Sequence, residues 1–310
     1  MTPSSEEGTR EKLVFSSIIY PGKSSESNSL LLAESIRDFG GALSDRPIWF
    51  FAPNLGRELS LDTMTCFQGL NVEVIPMEID QEVLKFPFTG HAEAAAMAES
   101  KADGNADLLA WIAPNTLVLH EPIDFLLDSN IKLGYRPVHH KLLGLLYDEP
   151  LDSFWNLVYN HCGVKEEQIF SMKPHVENEP IKPYFNAGLL IVRPERKLFR
   201  NWRDSFLNVY RHQDLLELYK KDQRYAIFIH QAILSGVLLS TLEKNEMEEL
   251  PADYNYPIHL YPEDDTDGRP DSLDDCITLR HETFHQNPDW TEKIPLNHEL
   301  KQWISDRLLH

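Results

Sequence analysis

An asparagine, an alanine and a glycine open an apolar run at Asn186, Ala187 and Gly188, inside YFNAGLLIVRP. The Asn186 amide can both donate to and accept from a hydroxyl-bearing ligand, and the small residues after it let the backbone approach that ligand closely. The same three residues would also make a tight strand entry, with Asn186 bonded to its own backbone. A second apolar run, DLLAWIAPNTLVLHEP from Asp107, is interrupted by Ala113, Pro114 and Asn115. Asn115 could bond a ribose or sugar hydroxyl, or cap a turn between two strand segments. In GYRPVHHKLLG, Arg136, His139, His140 and Lys141 put four potentially cationic groups into six residues. Arg grips phosphate oxygens bidentately, and His or Lys adds charge. Arg136 could equally pair with one of the many acids of the chain. On a strand His139 and His140 would point to opposite faces, so at most one would reach a given site.

Other histidines extend this set. FIHQAIL places His230 and Gln231 in a helical pattern, where a histidine could move a proton near neutral pH, steady a phosphate, or serve as a satisfied structural group. His281 and His285 follow in LRHETFHQNPDW; they would share a face only on a helix, whereas TLRHETF looks extended. A zinc site from His139, His230, His281 and His285 is open, although no tight ligand spacing demands one. Gly22, Lys23 and Ser24 reproduce the end of a phosphate-binding loop, but Ser17 stands where that loop needs a glycine and Pro21 removes an N–H. Glu263, Asp265, Asp267, Gly268, Asp271 and Asp274 fall near calcium-loop positions; Pro270 and the flanks favour a solvated acidic loop.

These groups need a frame. The 310 residues carry a formal charge of −20 and are 42% hydrophobic, which suits a globular, soluble protein and argues against nonspecific nucleic acid binding. A phosphate-bearing ligand would need a local cationic site. Three widely spaced cysteines and no C-x-x-C pair fit a reducing cytosol. Neither a secretory signal nor an apolar run of about 20 residues is visible, so a cytoplasmic protein without membrane contact is expected. Apolar runs alternate with helical patterns, the signature of a mostly parallel sheet flanked by helices. Strands are expected at Leu13, Pro47, Val72 and up to Ile112, with helices at Ser27–Phe39, at His91–Lys101, near Glu195 and at Leu296–Leu309. Residues 1–11 read as a frayed tail and 12–310 as one domain. Ligands of open α/β sheets lie beyond the carboxyl ends of the strands, where the loops Ser17–Ser25 and Ala113–Asn115 fall.

The runs at Asp107 and Tyr184 together resemble the GT-A type glycosyltransferases, of the glycogenin-like and galactosyltransferase-like branch. The resemblance covers roughly residues 12–290 and implies a GT-A-like α/β fold acting on a nucleotide-sugar donor and an acceptor not readable from sequence. It implies that the loop holding Ser17 and Tyr20 lies by the base and ribose, that the Ala113–Asn115 loop faces the diphosphate, and that Asn186, Ala187 and Gly188 contact the donor sugar; Arg136, His139 and His140 are donor-binding candidates on their own charge. His230 and Gln231 hold the place of an acidic catalytic segment. His281, with His285 as alternate, matches a histidine that binds metal in that family. The family's D-x-D pair is replaced by Ala113 and Asn115, so Mn²⁺ or Mg²⁺ is not expected. The reading is metal-independent sugar transfer, or a catalytically silent relative that binds nucleotide, sugar or protein.

Overall fold

The computed structural model describes residues 11–283 and 286–308. Ten strands form two sheets: β1 (Leu13–Ile18), β2 (Ile48–Pro53), β3 (Val72–Met77), β4 (Leu108–Ile112), β5 (Thr116–Val118), β6 (Leu133–Pro137), β7 (Phe185–Val192), β8 (Met247–Glu249), β9 (Tyr256–Pro257) and β10 (Thr278–Arg280). The larger sheet runs β3-β2-β1-β4-β7-β6-β8 and the smaller β5-β10-β9. Pairing in the larger sheet is parallel except at β7, which is antiparallel to both β4 and β6. The expected architecture, a mostly parallel sheet flanked by helices, is the one found.

Strand periodicity explains the layering, because successive side chains point to opposite faces. Val14 and Ile18 of β1 join Leu109 and Trp111 of β4 in one core. Leu13 and Phe15 join Leu108, Ala110 and Ile112 in the other. The helices α1 (Lys23–Phe39), α2 (Leu61–Gly69), α3 (Gln81–Leu84), α4 (Thr89–Ala102), α5 (Ser153–Cys162), α6 (Leu198–Val209), α7 (Gln213–Lys221), α8 (Gln223–Thr241), α9 (Trp290–Lys293) and α10 (His298–Leu308) complete the chain. Trp202 and Phe206 of α6, one turn apart, are both wholly buried. No helix among the described residues is long and apolar enough to cross a membrane.

Helix α1 starts at Lys23, four residues before the periodicity indicates, because a buried carboxylate organises its entry. Glu26 accepts from the Gly22 and Ser60 amides and from the Thr63 hydroxyl. Burial opposes its charge, but the hydrogen bonds from Ser60, Thr63 and Gly22 win and hold its carboxyl below the usual range. The loop expected at Ser17–Ser25 therefore shrinks to residues 19–22, and Ser17 lies inside β1, buried. The amide that a phosphate cradle would use at Gly22 is taken by the chain's own acid.

A second buried carboxylate joins α4 to α6. Glu99 is fully buried and accepts from the Phe199 and Arg200 amides and from Arg200 Nε. The first two are free donors of the first turn of α6, so Glu99 caps that helix from outside. Glu99→Ala would orphan both and unpair Arg200 from one of its two acids. The expected loss of stability is about 3 kcal/mol, comparable to breaking a buried pair, to be read as a lower urea midpoint at unchanged slope.

Candidate functional site

The antiparallel β4–β7 pairing brings the two notable sequence runs together. Its register sets Ile112 opposite Leu189, and one further bond, from the Ala113 amide to the Gly188 carbonyl at 2.8 Å, ends the ladder. Beyond it opens a cavity of about 400 Å³ floored by Ala113, Asn186, Ala187 and Gly188. Helix α8 fixes this floor through two side chains one turn apart. Gln231 Oε1 accepts from the Ala187 amide at 3.0 Å, and the Ser235 hydroxyl accepts from the Phe185 amide at 3.0 Å. Asn186 Oδ1 accepts from the Gly188 amide at 2.8 Å, so its oxygen serves the turn while its NH₂ has no partner among the described residues.

Gly188 is required for space. A Cβ there would stand 2.7 Å from Nη1 of Arg280, 3.0 Å from Asn186 Oδ1 and 3.5 Å from the Ala113 methyl. The Arg280 guanidinium thus lies directly over the glycine, and its Nη1 is buried without a hydrogen-bond partner among the described residues. Burial pulls its pKa down to about 10, against the opposing pull of Glu282, so it remains cationic at neutral pH. Arg280 and Glu282 both line the cavity, two residues apart on an extended segment, which is the spacing that shares a face.

His139, His140, His259, His91 and His230 line the cavity with Phe88, Leu142, Ile227 and Phe228. Burial pushes His91 down to about 3, helped by His230 and Arg280, and pushes His230 down to about 4. His139 is held well below its ordinary value by burial, His175 and Arg280; burial also lowers His259. His230 Nδ1 contacts the Ile227 carbonyl at 2.8 Å, and its ring stacks on Phe88 at 4.3 Å and 14°. Phe88 adopts a left-handed backbone, φ 59°, with its side chain partly exposed, a conformation a bulky residue rarely takes. The stacked pair gives the cavity a flat apolar wall of the sort that suits a sugar ring face.

Of the residues singled out in the sequence, His139, His140, Asn186, Ala187, Gly188, His230 and Gln231 meet at this cavity. Others lie elsewhere. Arg136 is buried on β6, with Nη1 on Glu249 at 3.1 Å and on the Leu250 carbonyl. Tyr20 contacts the His91 ring from behind the lining. Asn115 donates its amide to the His281 carbonyl, and the His281 amide donates to the Asn115 carbonyl; the pair joins two segments instead of facing the cavity. His281 is fully buried, turned away while its neighbours Arg280 and Glu282 face in. His285 lies outside the described residues. His230, for which the sequence left proton transfer, phosphate binding and a structural role open, has its pKa lowered to about 4 by burial. Phe88, His91, His259, Arg280 and Glu282 were missed. Strict alternation through TLRHET carries the Arg280 and Glu282 signal; the left-handed turn at Phe88 has none.

The lining, among the described residues, does not fit Mg²⁺ or Mn²⁺: hard cations need several oxygen ligands, whereas Ala113 has none, the Asn115 amide is engaged with His281, and Glu282 is the one carboxylate. Among the described residues, no three His, Cys, Asp or Glu side chains come together in a metal-binding group.

The buried neutral imidazoles carry a pH signature. A histidine whose folded pKa lies below its unfolded value favours the unfolded chain once protons bind there first. Stability from His91 and His230 is therefore complete above pH 6.5 and declines as pH falls toward 4 and 3. The double substitution His91→Gln, His230→Gln should flatten the fall of the urea midpoint between pH 6.5 and 4. An unchanged slope would show that the two rings are not held neutral.

Comparison with known proteins identifies a family. Residues 17–238 match the Rhodobacterales glycosyltransferase domain. Similar solved structures include the galactosyltransferase LgtC, in complex with donor and acceptor sugar analogues, at 14% identity and TM-score 0.48, covering 96% of this chain and 93% of that one. Core-mannan synthase A of Aspergillus fumigatus, in its Mn/GDP form, is 11% identical with TM-score 0.46, covering 81% of this chain and 75% of that one. No curated protein sequence matches. With more than half its length inside that match, the chain belongs to the Rhodobacterales glycosyltransferase domain family.

Proposed function

We propose that the protein transfers a sugar from a nucleotide-sugar donor to an acceptor hydroxyl without a divalent metal ion. The observation that carries this reading is the junction of Ala113 with Gly188 at the cavity floor. It joins the two motifs of the resemblance at one place, and the carboxylates that would hold a metal are replaced there. In the reaction, the bond between the anomeric carbon and the phosphate oxygen breaks and its electron pair stays on the diphosphate. The acceptor oxygen bonds to the same carbon and gives up its proton; Glu282 is the carboxylate at hand to take it. The Asn186 amide and the Ala187–Gly188 backbone would hold sugar hydroxyls, and the Phe88–His230 pair would cover a ring face.

Binding to the native state raises thermal stability by linkage, about 2.7 kcal/mol at a hundredfold excess over Kd. Purified protein would be melted against nucleoside diphosphates and nucleotide sugars, each in EDTA and in Mn²⁺, and the best donor carried into hydrolysis and transfer assays. A stabilisation that persists in EDTA, followed by turnover in EDTA, is expected. Stabilisation without turnover assigns the chain to the catalytically silent relatives. Stabilisation or turnover seen only with Mn²⁺ overturns metal independence, and no stabilisation by any nucleotide removes the donor assignment.

A further inference from the structure

We infer that Arg280 is the phosphate-binding residue of this site, a fixed guanidinium standing where a metal ion would otherwise meet the leaving diphosphate; this rests on the proposed donor class.

Four observations converge on it. The Nη1 of Arg280 is buried with no hydrogen-bond partner among the described residues, a costly state for an ionised donor unless a ligand completes it. Its position is enforced, since the space above Gly188 is left open for it by the missing Cβ. That position adjoins the Ala113 methyl, at the end of β4. Finally, among the described residues Arg280 is the only arginine or lysine lining the cavity, and four of the five histidines around it have lowered pKa values. In a chain of formal charge −20, an anion drawn into this cavity has one permanent cation to meet. A guanidinium suits phosphate oxygens because its planar fork of donors matches them. As the donor's glycosidic bond breaks, the electron pair left on the phosphate oxygen is stabilised by a charge already in place, without reorganisation.

The same guanidinium could instead hold the carboxylate of a uronic acid, and the test separates these sources. Isothermal titration in EDTA would use UDP, GDP, pyrophosphate, uridine, guanosine and glucuronate on the wild type, Arg280→Met and Arg280→Lys. A charge-assisted hydrogen bond contributes about 1.5–3 kcal/mol, so Arg280→Met should weaken the preferred diphosphate and pyrophosphate roughly 10- to 100-fold. The matching nucleoside should bind as before, and Arg280→Lys should recover part of the loss. Gly188→Ala, which drives a methyl against Nη1 without removing any charge, should reproduce the selective loss. Unchanged nucleoside affinity shows that each variant keeps the native site.

If Arg280→Met binds the diphosphate as tightly as the wild type, the assignment of Arg280 is wrong while the donor reading stands. Loss of nucleoside and diphosphate together, in both Arg280→Met and Gly188→Ala, would make Arg280 a structural residue and overturn the inference. Pyrophosphate bound through Arg280 with no preference for any nucleotide keeps the phosphate site and sinks the nucleotide-sugar reading. Arg280-dependent binding of glucuronate alone overturns the phosphate assignment, and a wild type that binds none of the probes overturns both.

Discussion

The reversal of strand direction at β7 decides what can meet at the cavity, because an antiparallel neighbour brings its amino-terminal residues to the carboxyl end of β4. A parallel strand in that place would carry its first residues to the opposite edge of the sheet. The order β1-β4-β7-β6 therefore lets a turn closing one strand touch a turn opening another, with the Ala113 to Gly188 hydrogen bond as their last shared contact. Helix α8 secures the arrangement by supplying acceptors to the Phe185 and Ala187 amides. Those amides would otherwise lose partners as β7 leaves the ladder, and buried amides are rarely left so.

The electrostatics of the cavity follow from its depth. Desolvation disfavours charge on His91, His139, His230 and His259, and like-charge proximity to Arg280 adds to it at His91, His139 and His259. Arg280 keeps its charge because a guanidinium begins so far above neutrality that even a large depression leaves it protonated. The result is one fixed cation beside a carboxylate, Glu282, among imidazoles whose charged forms are disfavoured. Such an environment offers an anion one defined place, and offers hydroxyl groups many.

Much of the fold was legible in the sequence because it is written in periodicity. β3 begins and ends where its apolar run does, and β1, β2 and β4 differ by a residue or two. The entry to α1 was misplaced because Glu26 looks like an ordinary surface acid, and its three donors come from residues near and far along the chain. The site was half legible. Asn186 to Gly188 and His230 with Gln231 announced themselves by local composition, and they do meet. The cluster around Arg136 divided, since strand alternation sent Arg136 to Glu249 while His139 and His140 reached the cavity. The segment at residues 280–282 was assigned one residue out of register, because a match to a known histidine outweighed the alternation that turns His281 inward. Phe88 and His259 arrive through tertiary packing alone.

The crowding above Gly188 also couples two positions that lie far apart in the chain. Ala113 and Arg280 press on the same small volume from two sides, so substitutions at the two are not independent. An aspartate introduced at 113 would find a guanidinium beside it and form an ion pair before it could bind a cation, while Asn115 would still be engaged with the segment that carries Arg280. A carboxylate pair grafted at 113 and 115 would therefore enter a volume already occupied, and the arginine would have to be exchanged in the same step.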